Sequence, residues 1–121
     1  MRCFLLWFVL TAAVVNAQEK GAPITVHVKE VHREQEEGTE KGTWFHITVI
    51  AESKTIAFSL KCDEFFDNKT HGFVIQCFDL SAGKDYSARK FPTAMSFWPD
   101  GTKSGQGRMM AAYDIVSEKE K

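Results

Sequence analysis

The chain has 121 residues, with 15 basic and 16 acidic side chains and a formal net charge of −1. That length suits one domain with a modest core. A near-neutral balance with no lysine or arginine run excludes a nucleic-acid partner, which needs a basic patch for phosphates, and gives no sign of membrane-surface binding.

Residues 1–17 read MRCFLLWFVLTAAVVNA. One basic residue, Arg2, precedes an apolar run from Cys3 to Val15, and 13 residues are too few for a spanning helix of about 20. Small side chains at Val15 and Ala17 predict a secretory signal cleaved after Ala17. The expectation is a signal peptide over 1–17 and one secreted, extracellular β domain over 18–121, with no membrane span. Cys3 leaves with the signal. The two remaining cysteines, Cys62 and Cys77, then form a disulfide in the oxidising secretory route.

Pro23–Val28 alternates, with Ile24, Val26 and Val28 on one face, and predicts a strand. Glu30–Gly42 is charged and ends near two glycines, so it is expected as a solvated loop. An acidic ligand site at Glu34, Glu36, Glu37 and Glu40 is the less economical reading. Thr43–Ala51, TWFHITVIA, is the strongest strand, aromatic and β-branched throughout. Phe45, Ile47 and Val49 share one face, and Trp44, His46, Thr48 and Ile50 the other. Thr55–Cys62 alternates again and forms a hairpin with it.

The segment Lys61–Cys77 reads KCDEFFDNKTHGFVIQC. A hairpin register that sets Cys62 opposite Cys77 also sets Phe66 opposite Phe73 and bends at Asn68-Lys69-Thr70-His71. A facing pair can meet the 4.4–6.8 Å Cα range of a disulfide. A bridge between two sheets, with 63–72 as a longer loop, is the alternative. Asn68-Lys69-Thr70 is an N-glycosylation sequon at an exposed bend. Fourteen intervening residues and a single histidine between the thiols do not resemble a zinc or redox site, so no metal or cofactor is expected.

Gly72–Leu80, Tyr86–Phe91, Thr93–Trp98 and Arg108–Val116 are further extended candidates. Pro92 breaks the middle pair, Pro99-Asp100-Gly101-Thr102 predicts a turn, and the SEKEK tail is expected to fray. About seven short strands at spacings near ten residues predict an all-β domain, a small antiparallel β-sandwich with one disulfide; a small β-barrel is the alternative.

His27, His32, His46 and His71 show no metal-ligand spacing and no evident carboxylate partner. His27 and His46 could meet across a sheet. No G-x-S-x-G elbow occurs, and an enzyme is not expected; one would show His27, His46 and Asp79 converging in a cleft. Aromatic side chains carry more of the functional signal. Phe97 and Trp98 are adjacent and point to opposite faces if extended. Trp98, Trp44, Phe97 and Tyr113 are candidates for contacting a partner, because Trp and Tyr anchor interfaces; capping the domain's end is the plainer role for Trp98.

Gly42-Thr43-Trp44 resembles the G-x-W opening of lipocalins. The resemblance covers three residues, and the chain ends 77 residues after Trp44, short for the eight strands of those barrels. It keeps a small-ligand carrier among the readings. The leading expectation is a non-enzymatic extracellular binding or effector protein that recognises a partner protein through a sheet face or the loops around Trp98–Gly107. The alternative is a carrier of a small apolar ligand inside a β-barrel, which should leave a cavity of about 300 Å³ or more.

Overall fold

The computed structural model describes residues 21–99, 104–105 and 108–121, and among these it is all-β with no helix. The signal-peptide expectation at 1–17 and most of the predicted turn at 99–102 lie outside the described residues. Among the described residues nine strands form one hydrogen-bonded sheet: β1 Ala22–Gln35, β2 Gly42–Glu52, β3 Ile56–Asp67, β4 Gly72–Cys77, β5 Asp85–Lys90, β6 Ala94–Ser96, β7 Ser104–Gly105, β8 Arg108–Ala111 and β9 Tyr113–Glu120.

The pairing order is β2-β1-β5-β6-β9-β3-β4-β8-β7, and β2 also pairs with β3. Six strands therefore make a closed circuit, with β4, β8 and β7 continuing from β3. The circuit depends on how two long strands divide their edges. β1 uses Ala22–His27 for β5 and His27–Gln35 for β2. β3 runs along β2 from Ala57 to Asp67, while its other edge serves β9 over Ile56–Lys61 and β4 over Phe65–Asp67.

Alternation along these strands aims one set of side chains into the circuit. Val26 and Val28 of β1, Ile47, Val49 and Ala51 of β2, Phe58, Leu60 and Cys62 of β3, Met95 of β6 and Tyr113 of β9 form the buried core with Cys77, Leu80 and Phe97. Period-two patterning of β-branched and aromatic residues thus buries one face of each strand.

Several expectations change. Glu30–Gln35 is strand rather than loop, because its backbone pairs with Phe45–Ile50 and only its outer side chains need be polar. The inward positions there are Val31 and Arg33, and the Arg33 guanidinium carbon lies 4.4 Å from the centre of the Phe45 ring. The SEKEK tail is not frayed: β9 reaches Glu120, Ser117–Glu120 pairs with Ile56–Ser59, and Lys121 N–H donates to Thr55 O at 2.9 Å. Arg108–Val116 is two strands broken at Ala112. β8 pairs with β4 in parallel, and β9 leaves it to join β3 and β6. Both segments share the same apolar alternation, so sequence pattern could not divide them.

The hairpin register holds at the bend, with Phe66 opposite Phe73 and Asp67 opposite Gly72. A bulge between Phe65 and Phe66 shifts the remainder, so Phe65 faces Ile75. The Cys62–Cys77 disulfide forms with Cα atoms 6.2 Å apart, wider than a directly opposed non-hydrogen-bonded pair at about 4.5 Å.

Candidate functional site

The disulfide sets where the chain goes after β4. Cys77 is tied to the inward face of β3, so Phe78, Asp79 and Leu80 pass across one end of the strand circuit. Two further bonds hold this crossing: Cys77 N–H donates to Glu64 Oε2 at 3.0 Å, and Tyr113 Oη donates to Phe78 O at 2.6 Å. Phe78 is the hub of an aromatic cluster, with ring centres 5.2 Å from Trp98 and 6.1 Å from Tyr86 and from Phe97. Phe97 in turn meets Tyr113 edge-on at 5.5 Å.

Beside the crossing lies an open cavity of about 260 Å³. Val31, Arg33, Ile47, Glu64 and Tyr113 supply its wall from the strand circuit; Phe73, Gln76 and the Cys77–Leu80 crossing supply the rest. Its wall is drawn from β1 beyond its pairing with β5 and from β3 beyond its pairing with β9.

Glu64 is the unusual member. It points inward on β3, and only 3% of it is exposed. Its Oε2 accepts the Cys77 N–H. Its Oε1 lies 2.6 Å from Arg33 Nη1, an ion pair. A buried carboxylate costs several kcal/mol unless paired and bonded, and here the Cys77 N–H on Oε2 and the Arg33 guanidinium beside Oε1 supply both. Burial pushes the Tyr113 hydroxyl pKa up, and the negative charges of Glu64 and Asp79 push it further.

A second polar group lies on the outside of the sheet. His46 on β2 faces Asp63 on β3, with Nδ1 2.7 Å from Asp63 Oδ1 and Nε2 2.9 Å from Glu36 Oε2. A neutral imidazole has one N–H and can donate to one of these; only the imidazolium satisfies both. Its pKa is raised, first by the Asp63 hydrogen bond, then by Glu36. His27 has a carboxylate too, Asp85, at 2.6 Å. The two histidines therefore do not meet each other; each is paired with an acid that sequence spacing could not assign, because the partners come from other strands. Asp79 is close to neither in these contacts and lies on the cavity rim. Among the described residues no group of three or more His, Cys, Asp or Glu side chains is arranged to hold a metal ion.

The aromatic candidates separate. Phe97 is 5% exposed and Tyr113 1%, so both are core residues with no outer surface to offer a docking protein. Trp98 is half-buried, and its Nε1–H donates to Ala111 O at 2.9 Å; it packs as a cap over Phe78. Trp44 remains 39% exposed on the outer face, tilted against Phe65 at 4.9 Å. Asn68 is exposed at the predicted bend, and its Nδ2 donates to Thr39 O at 3.1 Å and Glu40 O at 3.4 Å.

Sequence reasoning did not single out Glu64 or Arg33. The signal present was a charged residue at an inward position of each strand: Glu64 follows Phe58, Leu60 and Cys62 in period two. Comparison with protein-family models, with curated proteins and with solved structures finds no match.

Proposed function

We propose that the protein is an extracellular, non-enzymatic binder of a small molecule held in the cavity beside the Cys77–Leu80 crossing. The observation that carries this reading is the cavity itself, whose wall combines apolar side chains with a buried ion pair, Glu64, 3% exposed, with Oε1 2.6 Å from Arg33 Nη1. Binding pockets combine apolar walls with a few placed polar groups, and here Val31, Ile47, Phe73 and Phe78 surround Glu64 and Arg33. In this reading the six-strand circuit acts as a small barrel with a ligand site at its end. The cavity is smaller than the roughly 300 Å³ expected of a carrier, so the ligand is small, and the polar wall argues against a purely apolar one.

The disulfide is compatible with an extracellular location. Secretion through the 1–17 signal and a glycan at Asn68 complete the proposal. A glycan on Asn68 Nδ2 would leave one N–H for the Thr39 and Glu40 carbonyls. Native mass spectrometry of the secreted protein tests the function. A bound small-molecule mass supports the cavity reading; a bare chain that gains no mass from a metabolite extract sinks it.

A second reading, docking of a partner protein on the outer sheet face, is favoured by the exposed Trp44–Phe65 pair. Capture of a protein complex that Trp44→Ala dissolves would support it.

A further inference from the structure

We infer that the outer face of β1, β2 and β3 docks a partner protein whose contact patch is basic, with Trp44 as the apolar anchor. This inference rests on the second reading above, docking on the outer sheet face, and is independent of the cavity.

The strand registers build the face. Residues directly opposite each other in an antiparallel pair point to the same side of the sheet. The pairings set Glu30 beside Ile50 and Ser59, His32 beside Thr48 and Lys61, and Glu34 beside His46 and Asp63. One row further, Trp44 lies beside Phe65, and Glu36 N–H donates to Trp44 O. Asp114 of β9 lies next to Lys61. The carboxylates of Glu30, Glu34, Glu36, Asp63 and Asp114 therefore share this face with one lysine. The face stays negative even with His32 and His46 both protonated. The loop after β1 adds Glu37 and Glu40 against Lys41.

Most of that charge is open to a partner. His46 bonds Asp63 and Glu36, yet their side chains remain 41% and 57% exposed. Glu30, Glu34 and Asp114 are exposed, and among the described residues their side chains have no hydrogen bond or ion pair. Carboxylates gathered on one surface repel each other, and lysine or arginine side chains laid over them relieve that repulsion.

The sign of the charge decides the occupant. A second copy of the chain would set acid against acid, and like charges across an interface are costly. A basic protein surface is attracted instead, and complementary charge speeds its approach. Trp44 supplies the fixed point: it is 39% exposed, and its ring is tilted against Phe65 at 4.9 Å. Tryptophan is enriched among the residues that carry interface energy, and its ring face also accepts a cation.

Fluorescence anisotropy with the full secreted chain tests this, using two labelled peptides of equal length: lysine alternating with threonine, and glutamate alternating with threonine. The lysine peptide is expected to bind at least about tenfold tighter than the glutamate peptide, and to lose about tenfold between roughly 50 and 300 mM salt. Glu30→Gln with Glu34→Gln should weaken it about five- to tenfold, and exposed side chains without partners spare the fold. Asp79→Asn with Glu120→Gln removes the same charge away from this face and should change affinity by less than about twofold. Trp44→Ala should weaken the lysine peptide about tenfold. Equal binding of the two peptides, or tighter binding of the glutamate peptide, overturns the basic partner; if Trp44→Ala weakens that binding, docking at Trp44 stands. Equal losses in the two double variants also overturn the inference, since they would report net charge and not this face. Binding of neither peptide overturns it; if Trp44→Ala then dissolves no protein complex of the secreted chain, the docking reading falls as well.

Discussion

Gly42 begins β2 directly against β3, and a Cβ there would overlap the Phe66 carbonyl oxygen and stand 2.7 Å from the Phe65 ring. The backbone oxygen cannot turn away without breaking the sheet. Gly42→Ala is expected to destabilise by about 1–3 kcal/mol, the range of forced overpacking, read as a lower urea midpoint at unchanged slope; an unchanged midpoint would contradict the packing. His46 offers a pH test. Its folded-state pKa is raised above 6.5 by Asp63 and Glu36, so the folded protein holds that proton more tightly than the unfolded chain. The stabilisation is fully present below pH 6.5 and is lost as pH rises through the higher folded value. NMR titration of the His46 ring should give a midpoint above 6.5, and Asp63→Asn, which removes the largest cause, should bring it down. A midpoint that ignores the variant would mean the contact is not formed in solution. Neither residue declared itself in sequence: Gly42 ended a charged stretch, and the acids beside His46 are 10 and 17 residues away.

Two elements depend on contacts made far along the chain. The Cys62–Cys77 bond closes a loop with a separation of 15 residues, for which chain entropy gives roughly 3 kcal/mol. Replacing both cysteines by alanine should cost about that much. It should also loosen the Cys77–Leu80 crossing, seen as faster amide exchange at Phe78–Leu80 than at the β2–β3 pairing. Equal exchange at both would show that Glu64 and Tyr113 hold the crossing alone. The C-terminal half of β9 makes the opposite case to its composition. Ser117–Glu120 is polar, yet it pairs with Ile56–Ser59, and Lys121 Nζ lies 3.4 Å from Glu52. Deleting residues 117–121 bares that edge of β3 and should destabilise by about 2–4 kcal/mol, several backbone hydrogen bonds at their usual net worth. A frayed tail would cost nothing. Strand alternation was legible for β2 and for the first half of β3, where apolar residues repeat every second position. It failed for Glu30–Gln35 and the tail, because backbone pairing does not require apolar side chains when one face meets water.

Across the whole molecule, the strand circuit is closed by pairings between distant segments: β1 with β5, β6 with β9, β3 with β9. Sheets built from such non-local pairs fold slowly, since loop closure precedes most of the stabilising contacts. Refolding with the disulfide intact should therefore take milliseconds to seconds; microsecond refolding would be inconsistent with this topology. The cavity lies along this circuit past the ends of the β1–β5 and β3–β9 pairings, where the Cys77–Leu80 crossing supplies part of its wall.

The sequence by itself determined an all-β chain, most of the inward-facing residues, the Cys62–Cys77 bond and the bend at Asn68–His71. These rest on local alternation, turn chemistry and a two-cysteine count, all of which are written in adjacent residues. Only the tertiary structure decided that β2, besides its expected hairpin with β3, also joins β1, that β8 lies parallel to β4, and that Phe97 and Tyr113 are core while Trp44 is outside. It alone brought Glu64, Arg33 and Asp79 to one cavity and gave each of His27 and His46 its acid. Such groupings depend on which strand edges meet and on a bulge that shifts register by one residue, and neither leaves a mark in the local pattern of a chain.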